Sequence, residues 1–97
     1  MPAFVTLFIW TEQGIKSAKN TAKLAKEAEE AWEAAGGCFI GIWWMLVQYD
    51  GILIHQAPDE KTALQQLRKL GMQGHMRTTT MRVFGEDEID SILQGLP

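Results

Sequence analysis

The sequence predicts a single α+β domain, covering residues 1–97, in which two helices lie on one face of a four-stranded antiparallel sheet. Two observations predict this fold class. Four segments have strand character, and two segments with helical periodicity separate them in the order β-α-β-β-α-β. In addition, a chain of 97 residues has enough apolar side chains for one hydrophobic core and is too short for a second.

The first predicted strand covers residues 3–10 and contains Thr6 as its only polar residue, which is typical of a central strand buried on both faces. A helix is predicted from about residue 15 to residue 35, because small apolar residues recur there every three or four positions. The small alanine side chains of this helix allow its axis to lie close to a sheet. Gly36 and Gly37 then end the helix.

The densest run of aromatic and β-branched residues, residues 39–56, predicts the second and third strands, joined as a hairpin at residues 48–51. A second helix is predicted over residues 60–70, with Asp59 as its N-cap and Gly71 at its end. The apolar residues that this helix is expected to bury are Ala63, Leu64, Leu67 and Leu70.

The last two predicted elements are a threonine-rich strand over residues 75–84 and a short helix over residues 86–93. The final helix is expected to turn Ile89, Ile92 and Leu93 inward. With right-handed connections, both longer helices lie on the same face of the sheet, in the split βαβ or ferredoxin-like arrangement.

The second face of this sheet has no cover within the chain. The strands nevertheless carry large apolar residues at both odd and even positions, and therefore on both faces. Such a surface is a liability in a monomer, and a second copy packed sheet to sheet would cover it. We therefore predict a homodimer, or an assembly of dimers.

Composition narrows the range of functions. A formal net charge of −3, with the lysines followed by acidic residues on one predicted helix, argues against nucleic acid as a partner. The single cysteine, Cys38, excludes an internal disulfide and fits a reducing compartment, and it is interpreted as structural. No leader pattern and no run near ~18 apolar residues is present, so neither a signal peptide nor a membrane span is predicted, and a cytoplasmic location is expected.

Three segments of the sequence resemble the GYD-domain family of small bacterial proteins, namely MPAFVTLFIWTEQGIKSAK, VQYDGILIHQAPDE and MRTTTMRVFGEDEIDSIL. The resemblance extends over nearly the whole chain, and it implies the fold of the dimeric α/β-barrel group without implying a particular reaction. In that family a glycine usually stands just before the Tyr-Asp pair, whereas here Gln48 takes that position and Gly51 follows the pair.

The pair Tyr49-Asp50 is the first candidate site. A carboxylate beside an aromatic ring, if partly buried, is suited to accept a proton or to hold an amine ligand. The alternative is that Asp50 accepts backbone hydrogen bonds in a tight turn, as aspartate often does.

A second candidate site consists of polar residues on otherwise apolar strands, namely Thr6, His55, Arg77 and Thr79. If they share a face, they line a pocket between the sheet and the helices. Arg77 would then anchor a carboxylate or phosphate, and His55 would supply a group that titrates near neutrality. In the alternative, Arg77 pairs with an acid at a dimer contact and His55 faces water.

The four tryptophans are a further set of candidates. Trp10 is the one expected to contact a ligand, because a polar loop follows it. Trp43 and Trp44 are adjacent and should point to opposite faces of a strand, one into the core and the other to a dimer contact or cleft. The two histidines, His55 and His75, have no acidic residue at metal-ligand spacing, so neither a metal nor another cofactor is expected.

These features leave three hypotheses open. The favoured one is a homo-oligomeric module that binds a small, partly apolar molecule, anionic ligands included, with no catalytic role. The second is a cofactor-free monooxygenase or isomerase with His55 or Asp50 as its base, because families with a similar dimeric α/β barrel carry such activities. The third is a purely structural oligomer.

Overall fold

The computed structural model of the protein describes residues 1–97 and confirms the α+β class and the predicted order of elements. The strands are β1 (Ala3–Trp10), β2 (Cys38–Trp44), β3 (Gly51–Gln56) and β4 (Met76–Val83). The helices are α1 (Glu12–Lys16), α2 (Thr21–Ala34), α3 (Glu60–Met72) and α4 (Glu86–Gln94), and a 3₁₀ turn (Ala18–Asn20) lies between α1 and α2.

The four strands form one antiparallel sheet in the order β2-β3-β1-β4, which is the ferredoxin-like arrangement. Residues directly opposite each other in antiparallel strands project to the same face. Phe4, Thr6 and Phe8 of β1 are buried and define the inner face, on which α2 and α3 pack.

The prediction that β1 is buried on both faces is correct for one face only. The odd-numbered residues of β1 project to the outer face, where no other part of the chain covers them completely. Ile9 on β1, Trp43 on β2 and Met81 on β4 keep 43%, 52% and 41% of their surface exposed. Trp44 is also exposed and donates from its indole to Thr21 of α2, so neither tryptophan of this pair is in the core as predicted.

The continuous helix predicted over residues 15–35 is interrupted in the structure. Thr11 caps α1 by accepting a hydrogen bond from the backbone N–H of Gly14 at 3.1 Å. Gly14 lies against the backbone of His75, and a side-chain carbon at this position would overlap the His75 carbonyl oxygen. The 3₁₀ turn then redirects the chain, so that α2 starts at Thr21.

The tight hairpin turn predicted at residues 48–51 is wrong in length. The connection covers residues 45–50 and is closed by a hydrogen bond from the N–H of Met45 to the carbonyl of Asp50, at 2.9 Å. Gly51 is the first residue of β3 and lies directly opposite Phe8 of β1. A side-chain carbon on Gly51 would overlap the Phe8 ring. The glycine therefore allows Phe8 to pack against the sheet.

The second long helix begins as predicted, because the carboxylate of Asp59 accepts a hydrogen bond from the N–H of Thr62 at 2.7 Å. It continues past Gly71 to Met72, and the turn that follows uses Gly74 at φ 81°. Leu64 is exposed rather than buried, because it lies on the solvent side of the helix.

The last helix, α4, differs most from the prediction. Ile89, Ile92 and Leu93 are exposed, since α4 does not lie over the core of its own chain. An ion pair of 2.8 Å between Arg82 of β4 and Glu88 of α4 holds the first turn of α4.

Cys38 is exposed, so it does not fill space in the core. No helix has the length and apolar character that a membrane crossing requires.

Candidate functional site

Two polar side chains are fully buried on the inner face of the sheet, Thr6 on β1 and His55 on β3, with 0% and 1% of their surface exposed. His55 lies directly opposite Phe4 in the β1–β3 register, which places Thr6 diagonally beside it. Nε2 of His55 lies 2.8 Å from Oγ1 of Thr6. These two residues therefore share the face toward the helices, as a pocket there would require, and the alternative that His55 faces water is wrong.

A third side chain extends this contact. Thr80 of β4 lies directly opposite Thr6, and the two hydroxyl oxygens are 2.8 Å apart. Two directions of hydrogen bonding satisfy the Thr80–Thr6–His55 chain, because each hydroxyl can both donate and accept. If the N–H is on Nε2, His55 donates to Thr6 and Thr6 donates to Thr80, leaving Nδ1 as an acceptor. If the direction is reversed, Nδ1 carries the N–H.

Aromatic rings enclose the imidazole of His55. The Trp32 ring lies 4.0 Å away between centroids, and the Phe4 ring stacks at 5.9 Å. Trp32 is held in position because its indole N–H donates to the backbone carbonyl of Gln56. Burial in this apolar surrounding lowers the pKa of His55 from 6.5 to about 4, so the ring is neutral at pH 7.

A cavity of about 120 Å³ adjoins His55, between the sheet and helices α2 and α3. Its walls are mainly apolar, and it is lined by His55 together with Leu24, Ala28, Leu53, Leu67 and Leu70. Nδ1 of His55 is buried and has no hydrogen-bond partner. Most buried polar atoms in proteins have a partner, so this nitrogen lacks an interaction that the chain itself does not supply.

A smaller cavity of about 30 Å³ lies toward the end of β1. Trp10 is among the residues that line it, and the Trp10 ring packs edge-on against Phe8 at 6.2 Å. The expectation that Trp10 contacts a ligand remains a prediction, and the location of this side chain is compatible with it.

Arg77 and Thr79 are not part of this site, and the prediction that they share a pocket with Thr6 and His55 is wrong. They lie opposite Ile9 and Leu7 on the outer face of the sheet, where both are exposed. Thr80, one residue further along β4, occupies the inner position instead. Thr78, Thr79 and Thr80 are identical in type, so the sequence does not reveal which of them faces inward.

Asp50 makes two hydrogen bonds with the backbone of β1. Its carboxylate accepts a hydrogen bond from the N–H of Trp10 at 2.8 Å, and its own N–H donates to the carbonyl of Phe8 at 2.8 Å. Asp50 thus connects the loop after β2 to the end of β1. Neither Tyr49 nor Asp50 lines either of the two cavities described above, so the structure does not bring this pair together with His55.

Residues 4–93 match the model of a protein family described as the GYD domain, which confirms the resemblance noted in the sequence. The match covers nearly the whole chain and includes both the Thr80–Thr6–His55 chain and the two cavities. No curated protein shows significant sequence similarity to this one.

Proposed function

We propose that this chain, which belongs to the GYD-domain family, is a homo-oligomeric module that binds a small and mostly apolar molecule between its sheet and helices α2 and α3. The observation that carries the proposal is Nδ1 of His55, a buried nitrogen without a partner in a residue that lines an apolar cavity. An unpaired buried polar group costs about 1–3 kcal/mol, which a ligand recovers by supplying the hydrogen bond.

The size and charge of the cavity indicate the class of ligand. Engineered apolar cavities of roughly 150 Å³ bind benzene, so a volume of about 120 Å³ suits a molecule of about one ring. Because His55 is neutral at pH 7 and Arg77 lies on the other face, neither supplies a positive charge for an anionic group in the cavity. Lys69 lines the cavity but is exposed on α3, and Glu27, with the opposite charge, lines the same cavity. A neutral hydroxyl, carbonyl or amide group fits this site better than a carboxylate.

The outer face of the sheet supports the homo-oligomeric part of the proposal. Ile9, Trp43 and Met81 form part of an apolar surface that remains exposed in the single chain. Removing apolar surface from water contributes about 25 cal/mol per Å², so packing two such sheets against each other is favourable. A second copy provides a surface of the same chemistry through two-fold symmetry.

Base catalysis, as in a cofactor-free monooxygenase or isomerase, is the second candidate function. The unpartnered ring nitrogen beside an apolar cavity favours it, because such a nitrogen is able to accept a proton from a bound substrate. However, a catalytic base works best when its pKa is near the operating pH, and the pKa of His55 is about 4. Because its pKa is low, His55 is a weak base, and we therefore favour binding over catalysis.

Thermal unfolding with a panel of neutral one-ring compounds tests the proposed function. A ligand that binds only the folded protein raises its melting temperature by mass action. We expect phenols or aromatic amides to raise it for the wild type and for Arg77→Ala, and to raise it much less for His55→Phe. No shift for any compound in the panel would contradict the proposal, and so would equal shifts in all three proteins.

A further inference from the structure

The last helix, α4, carries an apolar stripe that its own chain does not cover. Ile89, Ile92 and Leu93 are spaced so that they lie on one side of the helix, and all three are exposed. The ion pair between Arg82 and Glu88 holds the first turn, while the stripe beyond it faces solvent. An apolar side of a helix that its own chain leaves open indicates a docking surface.

The charge of α4 indicates what kind of surface would cover this stripe. The helix contains four acidic residues and no lysine or arginine. Only Glu88 is in an ion pair, whereas Glu86, Asp87 and Asp90 are exposed and unpaired. Helical periodicity places Glu86 and Asp90 along one border of the stripe. The matching surface therefore combines exposed apolar side chains with positive charge, and nucleic acid or anionic lipid does not suit an acidic helix.

A surface of this kind is present on the chain itself. Residues 13–26 contain four lysines and no acidic residue, and all four lysines are exposed. The loop after β2 exposes two large apolar side chains, Leu46 and Val47. The two segments meet where the indole of Trp44 donates to the hydroxyl of Thr21 at 3.0 Å. They form what we call the lysine–loop surface, which is complementary to α4 in charge and also apolar in part.

α4 and the lysine–loop surface lie at opposite ends of the sheet. Val83 at the end of β4 lies opposite Ala3, so α4 follows at this end of β1. Gly51, directly after the loop, lies opposite Phe8 near the other end of β1. At about 3.4 Å per residue, the strand separates the two ends by roughly 20 Å. A helix of about 13 Å that is held at its first turn does not reach the lysine–loop surface of its own chain.

We infer that α4 of one copy packs on the lysine–loop surface of a second copy, which returns the same contact. A two-fold axis that runs across the strands, between the two outer faces, places the α4 end of each sheet beside the loop end of the other. An axis along the strands would instead bring the two acidic helices together. The inferred contact requires a second copy, so it rests on the homo-oligomeric part of the proposed function. It adds the orientation of the two copies and the segments that join them.

Charge reversals on one surface, on the other and on both test this contact. The dimer dissociation constant is measured by sedimentation equilibrium at low salt, where surface charges are least screened. We expect Glu86→Lys with Asp90→Lys to weaken the dimer at least about tenfold, and Lys19→Glu with Lys23→Glu to do the same. A chain with all four changes should dimerise within about threefold of the wild type, because opposite charges again face each other. Damage to the fold alone would not be repaired in this way.

A matched control separates the contact from an effect of net charge. Glu30→Lys with Glu33→Lys alters the net charge as much as the α4 variant does, but on the other half of α2, and should leave the dimer unchanged. If this control weakens the dimer equally, or if the four changes together do not restore it, the inferred contact is wrong. It is also wrong if the one-surface variants dimerise as the wild type, while an interface that Met81→Glu disrupts would still stand. A monomeric wild type would overturn both.

Discussion

The 2.8 Å contact between Nε2 of His55 and Oγ1 of Thr6 determines what the other ring nitrogen presents to a ligand. Thr6 is in turn bonded to Thr80, so the direction of two hydrogen bonds decides whether Nδ1 donates or accepts. A buried donor without a partner is less well tolerated than a buried acceptor. In the ligand-free protein we therefore expect the N–H on Nε2, with Nδ1 as an acceptor.

Replacing Thr80 should raise the share of the other tautomer. In Thr80→Val the Thr6 hydroxyl loses its acceptor, so the tautomer with the N–H on Nε2 also leaves one donor unpaired. The preference for that tautomer is then lost, the fraction with the N–H on Nδ1 should rise, and the folded state loses about 1 kcal/mol. The ¹⁵N spectrum of the histidine ring distinguishes the two tautomers. Thr79→Val should leave the spectrum of His55 unchanged, and an unchanged tautomer in Thr80→Val would show that the hydroxyl chain does not control it.

Stability should fall with decreasing pH because of His55. Its pKa is lowered from 6.5 to about 4 in the folded protein. Between these values the unfolded chain binds the proton and the folded chain does not, so stability is present above pH 6.5 and is lost as pH falls toward 4. The loss should be on the order of 2 kcal/mol after allowance for solvent screening.

Urea unfolding at a series of pH values measures this dependence. The carboxylates titrate in part of the same range, so the comparison is between the wild type and His55→Gln. The slope attributed to His55 should be absent in His55→Gln and present in His75→Gln. Identical pH profiles for the wild type and His55→Gln would mean that His55 is protonated equally well in the folded and unfolded states.

A matched pair of glycine substitutions tests the packing of the sheet. Gly51→Ala forces a methyl group into the ring of Phe8 and should destabilise the protein by about 1–3 kcal/mol. Gly71→Ala lies within α3, where an added carbon meets nothing within 4 Å, and should stabilise it by about 0.5–1 kcal/mol. Chemical denaturation measures both changes. Equal effects of the two substitutions would refute the close approach of Gly51 to Phe8.

The outer face of the sheet should be an interface between copies of the chain. Light scattering should give a mass of at least twice 10.9 kDa for the wild type. Met81→Glu places a charge on this face and should yield monomers. Leu64→Glu is a matched control, since Leu64 is 51% exposed on α3 and its replacement should leave the assembly intact. A monomeric wild type would overturn the homo-oligomeric proposal.

The strands could be predicted from their runs of apolar, β-branched and threonine residues, and the longer helices because their apolar residues recur every three to four positions. The N-cap at Asp59 was equally predictable, since its side chain acts on the adjacent turn. The position of α4 away from the core was not predictable, because an apolar stripe indicates that a helix needs a partner without indicating which surface provides it. The loop before Gly51 ends in the contact of Asp50 with β1, which is distant in sequence and so has no local signal.

The site was predictable in part. Thr6 and His55 were identified because polar residues in apolar strands are unusual, and the pairing of β1 with β3 brings them together. The register of β4 could not be obtained from the same pattern, because a run of three threonines has no alternation. For this reason the sequence points to Thr79, whereas the structure places Thr80 opposite Thr6. The unpaired nitrogens of His55 and His75 become visible only when the surrounding atoms are known.

The most direct test of ligand binding at His55 is a titration of ¹⁵N-histidine-labelled protein with 4-ethylphenol, followed by NMR. The account predicts that the Nδ1 resonance of His55 shifts and saturates, because the phenol hydroxyl becomes its hydrogen-bond partner in the cavity. The Nδ1 resonance of His75 should move little, since His75 does not line this cavity. A His55 resonance that remains unchanged up to the solubility limit of the phenol would contradict the account.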